Sequence, residues 1–125
     1  MKRDWNVIEE ILLHIEEGDI EKYVKKESFL TDLGIDEDTF FGHVELLIDA
    51  KIIKNCSVSR GISGRFQSYC FNGVFITMEG HDLLDAMRNK PFWTKIKAKA
   101  TSSGLALSWE FIKAAIPVVI KESIG

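Results

Sequence analysis

The side chains most often used for chemistry are few here: His14, His43, His81, Cys56 and Cys70. A metal centre needs three or four convergent ligands, and the spacing offers no HExxH, no CxxC and no finger-like set. His81 and Asp85 stand four residues apart and could share a helix face, but two groups do not make a centre. A cysteine nucleophile needs a nearby His and an orienting carboxylate, which the residues flanking Cys56 and Cys70 do not suggest. Both thiols fall in β-prone sequence, where cysteine serves as a small apolar group. P-loop, GxSxG and GxGxxG patterns are absent, and "RGISGR" has two glycines but neither the Lys-Ser/Thr nor the following helix of a phosphate cradle. The expectation is no catalytic residue, no metal, no cofactor and no small-molecule substrate. His81 is expected to hydrogen-bond near the start of its helix and fix that helix on a sheet. His43 is expected to lie half-buried between helix faces.

What remains is charge and apolar surface. The chain has 125 residues and a net charge of −3, with a pI near 5.6, so the bulk balance does not favour nucleic acid. Its halves differ. Residues 1–50 carry fourteen acids against five Lys and Arg, whereas residues 51–125 carry eleven Lys and Arg against five acids. A basic half joined to an acidic half suits an acidic partner, or copies meeting head to tail. The candidate cationic contacts are Arg60 and Arg65 around the glycine-punctuated tip, and Lys95, Lys97 and Lys99 beside Trp93.

The elements follow from spacing. Asp4 can cap a first helix carrying Trp5, Ile8, Leu12 and Ile15 on one stripe, with Gly18 as its stop. "DIEKYVKKE" is ambiguous between a short strand and a helical turn. "SFLTDLG" reads as a short helix capped by Ser28 and stopped by Gly34. Asp36 caps the next, where Phe40, Phe41, Val44, Leu47 and Ile48 form a buried face. That helix has the place of a major-groove reader, yet Asp36, Glu37, Asp38, Glu45 and Asp49 meet no basic residue within it, and phosphate contacts would be repelled. Strand character in "KIIKNCSVS" and "FQSYCFNGVFIT" flanks the tip, with Asn72-Gly73 signalling a type I′ turn. Thr77 caps the helix of Leu83, Leu84 and Met87. "KPFWTKIKAKA" gives another helical piece with Pro91 near its start. After "TSSG", the segment 105–125 is apolar over most of its circumference, and Pro117 is expected to kink or end it. Its Trp109, Ile112, Ile116, Val119 and Ile120, with Ile124 beyond, are candidates for self-association, because so large an apolar set is seldom left in water.

"MKRDWNVIEEILLHIEE", "HVELLIDAKII", "ITMEGHDLLDAMRNKPFWTKIKAKA" and "GLALSWEFIKAA" together resemble a family of small bacterial and prophage proteins, the domain of unknown function numbered twenty-five thirteen. The most specific piece is T-x-x-G-H-x-x-L-D-x-x-R, here Thr77, Gly80, His81, Leu84, Asp85 and Arg88. The resemblance implies a winged-helix-like fold, a setting near mobile elements and no enzyme activity. In such proteins a Gly usually follows the Ala that ends the third helix, and here Lys51 stands there. A left-handed Lys51 costs on the order of 1 kcal/mol.

The reading is α+β: a winged helix-turn-helix core with a small antiparallel ribbon over residues 1–90, and a C-terminal helical extension over 91–125. No segment has the apolar length of a membrane span or of a signal peptide, which points to the cytoplasm. The expected function is a non-enzymatic interaction module of prophage or mobile-element type, binding a protein partner or itself through the C-terminal helices. The alternative is a winged-helix DNA-binding regulator using the wing and the basic half, with DNA bound weakly.

Overall fold

The computed structural model describes the backbone of residues 1–124 and the side chains of residues 1–122, so Ile124 lies outside the described side chains. Among the described residues the fold is α+β, with seven helices and two small antiparallel sheets. Two compact units are present, Met1–Leu84 and Asp85–Gly125.

The first unit opens with α1 (Trp5–Glu17). The Asp4 carboxylate accepts from the Asn6 amide at 2.9 Å, which starts the helix. Gly18, with φ 79°, ends it, and the amides of Gly18 and Asp19 return to the carbonyls of Ile15 and His14. The ambiguous stretch that follows is helical, α2 (Ile20–Lys25). Next comes α3 (Ser28–Asp32), and here the expected cap is corrected. Ser28 is already inside the helix, and Glu27 precedes it in the left-handed region at φ 51° with no side-chain cap bond.

The central helix is α4 (Glu37–Asp49), begun by Asp36 accepting from Thr39 N at 2.8 Å. It packs against α1 and against the strands that follow. Phe40, Phe41, Val44 and Leu47 are almost wholly buried, as their four- and three-residue spacing requires of a core face. Lys51 does take a left-handed conformation, φ 59°, so that Lys51 N reaches the Ile48 carbonyl and Ile52 N the Leu47 carbonyl. A lysine thus fills a helix-ending role that Gly18 fills without steric cost.

Two ribbons follow. β1 (Ile53–Lys54) pairs with β4 (Phe75–Ile76) in the register Ile53↔Ile76, and β2 (Ser57–Arg60) pairs with β3 (Phe66–Cys70) in the register Ser57↔Cys70, with a bulge between Ser59 and Arg60. The Asn72-Gly73 turn is not type I′. Val74 N donates to Phe71 O at 3.0 Å and only Gly73, of the two central residues, has positive φ. Type I′ needs both left-handed. The turn carries the chain from the β2–β3 ribbon to the β1–β4 ribbon and does not fold β3 onto β4.

Then comes α5 (Met78–Arg88). Thr77 Oγ1 accepts from Gly80 N at 3.2 Å and lies 2.8 Å from the Lys51 carbonyl, to which it donates, so one hydroxyl joins the helix start to the end of α4. Gly80 passes against the backbone of Ile52, just before β1. A Cβ there would overlap the Ile52 carbonyl oxygen and sit 2.6 Å from Ile76 Cγ2.

The second unit contains α6 (Lys90–Ser102) and α7 (Trp109–Ile124), which pack against each other. Asn89 caps α6 by accepting from Phe92 N at 3.2 Å, with Pro91 in the first turn. Pro117 lies inside α7 and does not end it. No described helix is long and apolar enough to cross a membrane.

Candidate interaction surfaces

Arg60 sits at the end of β2, where the strand enters the tip. Its Nε donates to both carboxylate oxygens of Glu45 at 3.0 and 3.1 Å, Nη2 closes a further bond to Glu45 Oε1, and Nη1 reaches the Gly64 carbonyl at 2.9 Å. The hydrogen bond to Glu45 raises the guanidinium's already high pKa. Asp38, in the first turn of α4, accepts from Phe66 N at 2.7 Å. Two acids of the helix therefore hold both edges of the β2–β3 hairpin, and Asp36 caps the helix itself. Aromatic packing completes the anchor: Phe41 stacks on Phe66 with centroids 3.9 Å apart and on Tyr69 at 5.1 Å. Beneath Arg60 an open hollow of about 540 Å³ is lined by Asp38, Gly42, Glu45, Leu46 and Asp49 of α4. Where a major-groove reader would present cations, this surface presents carboxylates.

Of the two tip arginines, Arg60 is thus committed to Glu45, while Arg65 is exposed. Between them Ile62 is fully exposed. Lys95 and Lys97 are exposed on α6, and Lys99 bonds Glu122 of α7 at 2.8 Å.

The five apolar residues proposed for self-association divide. Ile112 and Val119 are fully buried, with Ala115 between them, and face the interior of the unit that Ile96 and Ala100 of α6 also line. Trp109 and Ile116 are half-buried, and Ile120 is 44% exposed. Sequence reasoning did not separate out Val118, 46% exposed, or Leu105, 56% exposed in the α6–α7 connection. The signal was available: 112, 115 and 119 follow helical spacing and 118 falls outside that stripe.

The histidines have three different surroundings. His43 is fully buried, further than expected, and bridges two elements: Nδ1 donates to the Thr39 carbonyl and Nε2 accepts the Asp4 amide, both at 2.8 Å. His14 lies between Asp19 at 2.8 Å and Glu10 at 3.1 Å and stacks on Tyr23 with centroids 3.9 Å apart. Burial, then the carboxylates of Glu10 and Asp32, push the Tyr23 phenol up to about 12. His81 is exposed, and so is Asp85, which corrects the expectation that His81 fixes its helix on the sheet. That work is done by Thr77 and Gly80. Both cysteines are free thiols. Burial, then neighbouring Cys70, push the Cys56 thiol up to about 11, which keeps it protonated and unreactive near neutrality. Among the described residues no three His, Cys, Asp or Glu side chains converge as a ligand set.

Residues 2–106 match the family model described as "Hypothetical protein (DUF2513)". An uncharacterized protein of Haemophilus influenzae is 30% identical over 127 residues, an alignment that spans all of both chains. No solved structure matches.

Proposed function

We propose, for this chain that belongs to the DUF2513 family of hypothetical proteins, the role of a non-enzymatic interaction module in the cytoplasm. In this reading Met1–Leu84 is a winged-helix-like scaffold and the two-helix unit presents the docking surface. The order of helices α1–α4, two antiparallel ribbons and α5 supports the winged-helix reading. The prophage or mobile-element setting implied by the resemblance belongs to the same proposal. The observation that carries the functional reading is the exposure of Val118 and Ile120 on α7, while Ile112 and Val119 already fill its inner face. Apolar side chains left in water beside a completed inner face favour a protein surface as their cover.

A photo-crosslinking residue at position 118, expressed in the source organism, tests this. Adducts with protein at 118, and none at the exposed control position 97, are the expected result. Absence of any protein adduct at 118 would remove the reading.

DNA binding through the wing is the second reading, and the exposed Arg65 and Lys97 favour it. Against it stand Asp38, Glu45 and Asp49 around the hollow, and the engagement of Arg60 by Glu45. An anisotropy titration with duplex DNA distinguishes the two. Nanomolar, sequence-selective binding that survives moderate salt and collapses on Arg65→Ala would establish the second reading.

A further inference from the structure

We infer that α7 forms an antiparallel, two-fold symmetric pair with α7 of a second copy of this chain, an inference that rests on the interaction-module reading above and names its partner. The starting point is the outer face of the helix. Its buried positions are Ile112, Ala115 and Val119. Diametrically opposite, at successive spacings of four, three and four residues, stand Glu110, Ala114, Pro117 and Lys121, and all four are exposed. Those spacings keep the four on one strip of an α-helix. Val118 flanks the strip on one side and Ile120 on the other, at 46% and 44% exposure.

The strip reads the same against itself. When a second copy lies antiparallel, Glu110 meets Lys121 of that copy and Ala114 meets its Pro117. The two-fold axis then repeats each contact. The acidic residue is at the N-terminal end of the strip and the basic one at the C-terminal end, so the antiparallel arrangement brings opposite charges together at both ends. A parallel arrangement would bring like charges together instead. Small side chains at the centre, Ala114 and Pro117, let the helices approach closely, and Val118 and Ile120 close over the sides. The flanking cation Lys113 is already paired with Glu110 within the helix at 3.1 Å, one turn away on the same exposed side, so Glu110 can bridge both partners.

The face chosen differs from the most apolar side of α7. Ile112 and Val119 hold the two-helix unit together, so they are unavailable to a second chain. What remains is a narrower strip with charged ends, which suits a specific and modest contact. One helix pair is smaller than the usual interface of about 1,600 Å². Association should therefore be read up to about 1 mM chain, where even a millimolar affinity is visible.

The test is sedimentation equilibrium on the full chain and four variants, each checked for unchanged melting. The full chain is expected to move from monomer to dimer with concentration. Glu110→Lys alone and Lys121→Glu alone each place like charges at both ends of the pair, and each should weaken association by at least about tenfold. The double variant E110K/K121E restores opposite charges across the two-fold axis and should recover the affinity of the unaltered chain. That recovery is specific. The double variant still sets a second cation one turn from Lys113 within the helix, so mending the helix cannot produce it. Val118→Glu should abolish the dimer without altering the fold. A chain that stays monomeric throughout the range overturns the inference, and so does a dimer that is indifferent to the single charge changes or that the double change fails to rescue. A monomeric chain that still crosslinks from position 118 to another protein leaves the interaction-module reading standing and removes only this one. Absence of both dimer and adducts removes both.

Discussion

The two units treat their surplus side chains in opposite ways. Met1–Leu84 carries sixteen acidic residues against nine basic ones, and in it the conspicuous carboxylates are tied into the fold. Asp4 and Asp36 cap helices, Asp38 holds β3 and Glu45 holds Arg60. Asp85–Gly125 carries seven basic residues against three acidic ones and, among its described residues, has two complete helices with which to build a core. A pair of helices buries one stripe of each and no more, so Val118 and Ile120 remain outside. The lesson concerns where to look for a partner. On the first unit two carboxylates of α4, Asp38 and Glu45, are taken up by its own hairpin, whereas on the helical unit Val118 and Ile120 are left uncovered by its own packing.

The comparison is broken most severely by removing what anchors the hairpin. Phe41→Ala deletes the ring that stacks on Phe66 and Tyr69 and should cost about 3–5 kcal/mol in a urea titration. A loss below about 1 kcal/mol would mean that the carboxylates alone hold the hairpin. Within the helical unit, inner and outer faces should separate sharply. Ile112→Ala should cost about 2–5 kcal/mol, while Val118→Ser should stay within about 0.5 kcal/mol for the monomer. Equal losses would erase the distinction drawn between the two faces. Gly80→Ala forces a Cβ onto the Ile52 carbonyl, and overpacking of that kind costs about 1–3 kcal/mol. An unchanged urea midpoint would show that α5 can move away from β1. The smallest effect is electrostatic. Hydrogen bonds from Thr39 hold the Asp36 carboxyl below its usual 3.8. Its contribution is present above the unfolded-state value and is lost as pH falls through the lower folded-state value. Asp36→Asn keeps a competent cap but does not titrate, so its melting temperature should fall less than that of the unaltered chain between about pH 6 and about pH 2. Parallel acid limbs would show that other carboxylates carry the whole response.

Much of the frame was legible because its signals are local. Asp4, Gly18 and Asp36 each act within a few residues of themselves, as Thr77 does in accepting from Gly80 N, and Gly80 follows from the need of α5 to pass the sheet. The misreadings came where local chemistry was overruled or insufficient. Glu27 has no side-chain reason to be left-handed, so Ser28 looked the better cap. Asn72-Gly73 carries a hairpin signature, but its strands pair with other strands. Pro117 suggested a kink or a stop, and α7 continues through it. Partnerships across distant sequence were invisible for a different reason: Glu45 with Arg60 and Asp38 with the Phe66 amide are fifteen and twenty-eight residues apart. Asp38 and Glu45 could be seen to lack basic partners inside their helix, but not to find partners in the hairpin. On α7 the surplus of apolar residues was plain, and the helical spacing of Ile112, Ala115 and Val119 already sets an inner face apart from Val118.

His43 offers a spectroscopic handle on the seam between α1 and α4. One ring nitrogen must donate, to Thr39 O, and the other must accept, from Asp4 N, an amide thirty-nine residues away. Only the tautomer with its proton on Nδ1 satisfies both. The ring is fully buried, so that proton should exchange slowly with solvent and give a resolved, persistent imidazole resonance. Any event that lifts the first helix from the fourth would broaden or erase that signal before the global unfolding transition. A single proton inside the scaffold can thus report whether its N-terminal helix is seated, in real time and without an added label.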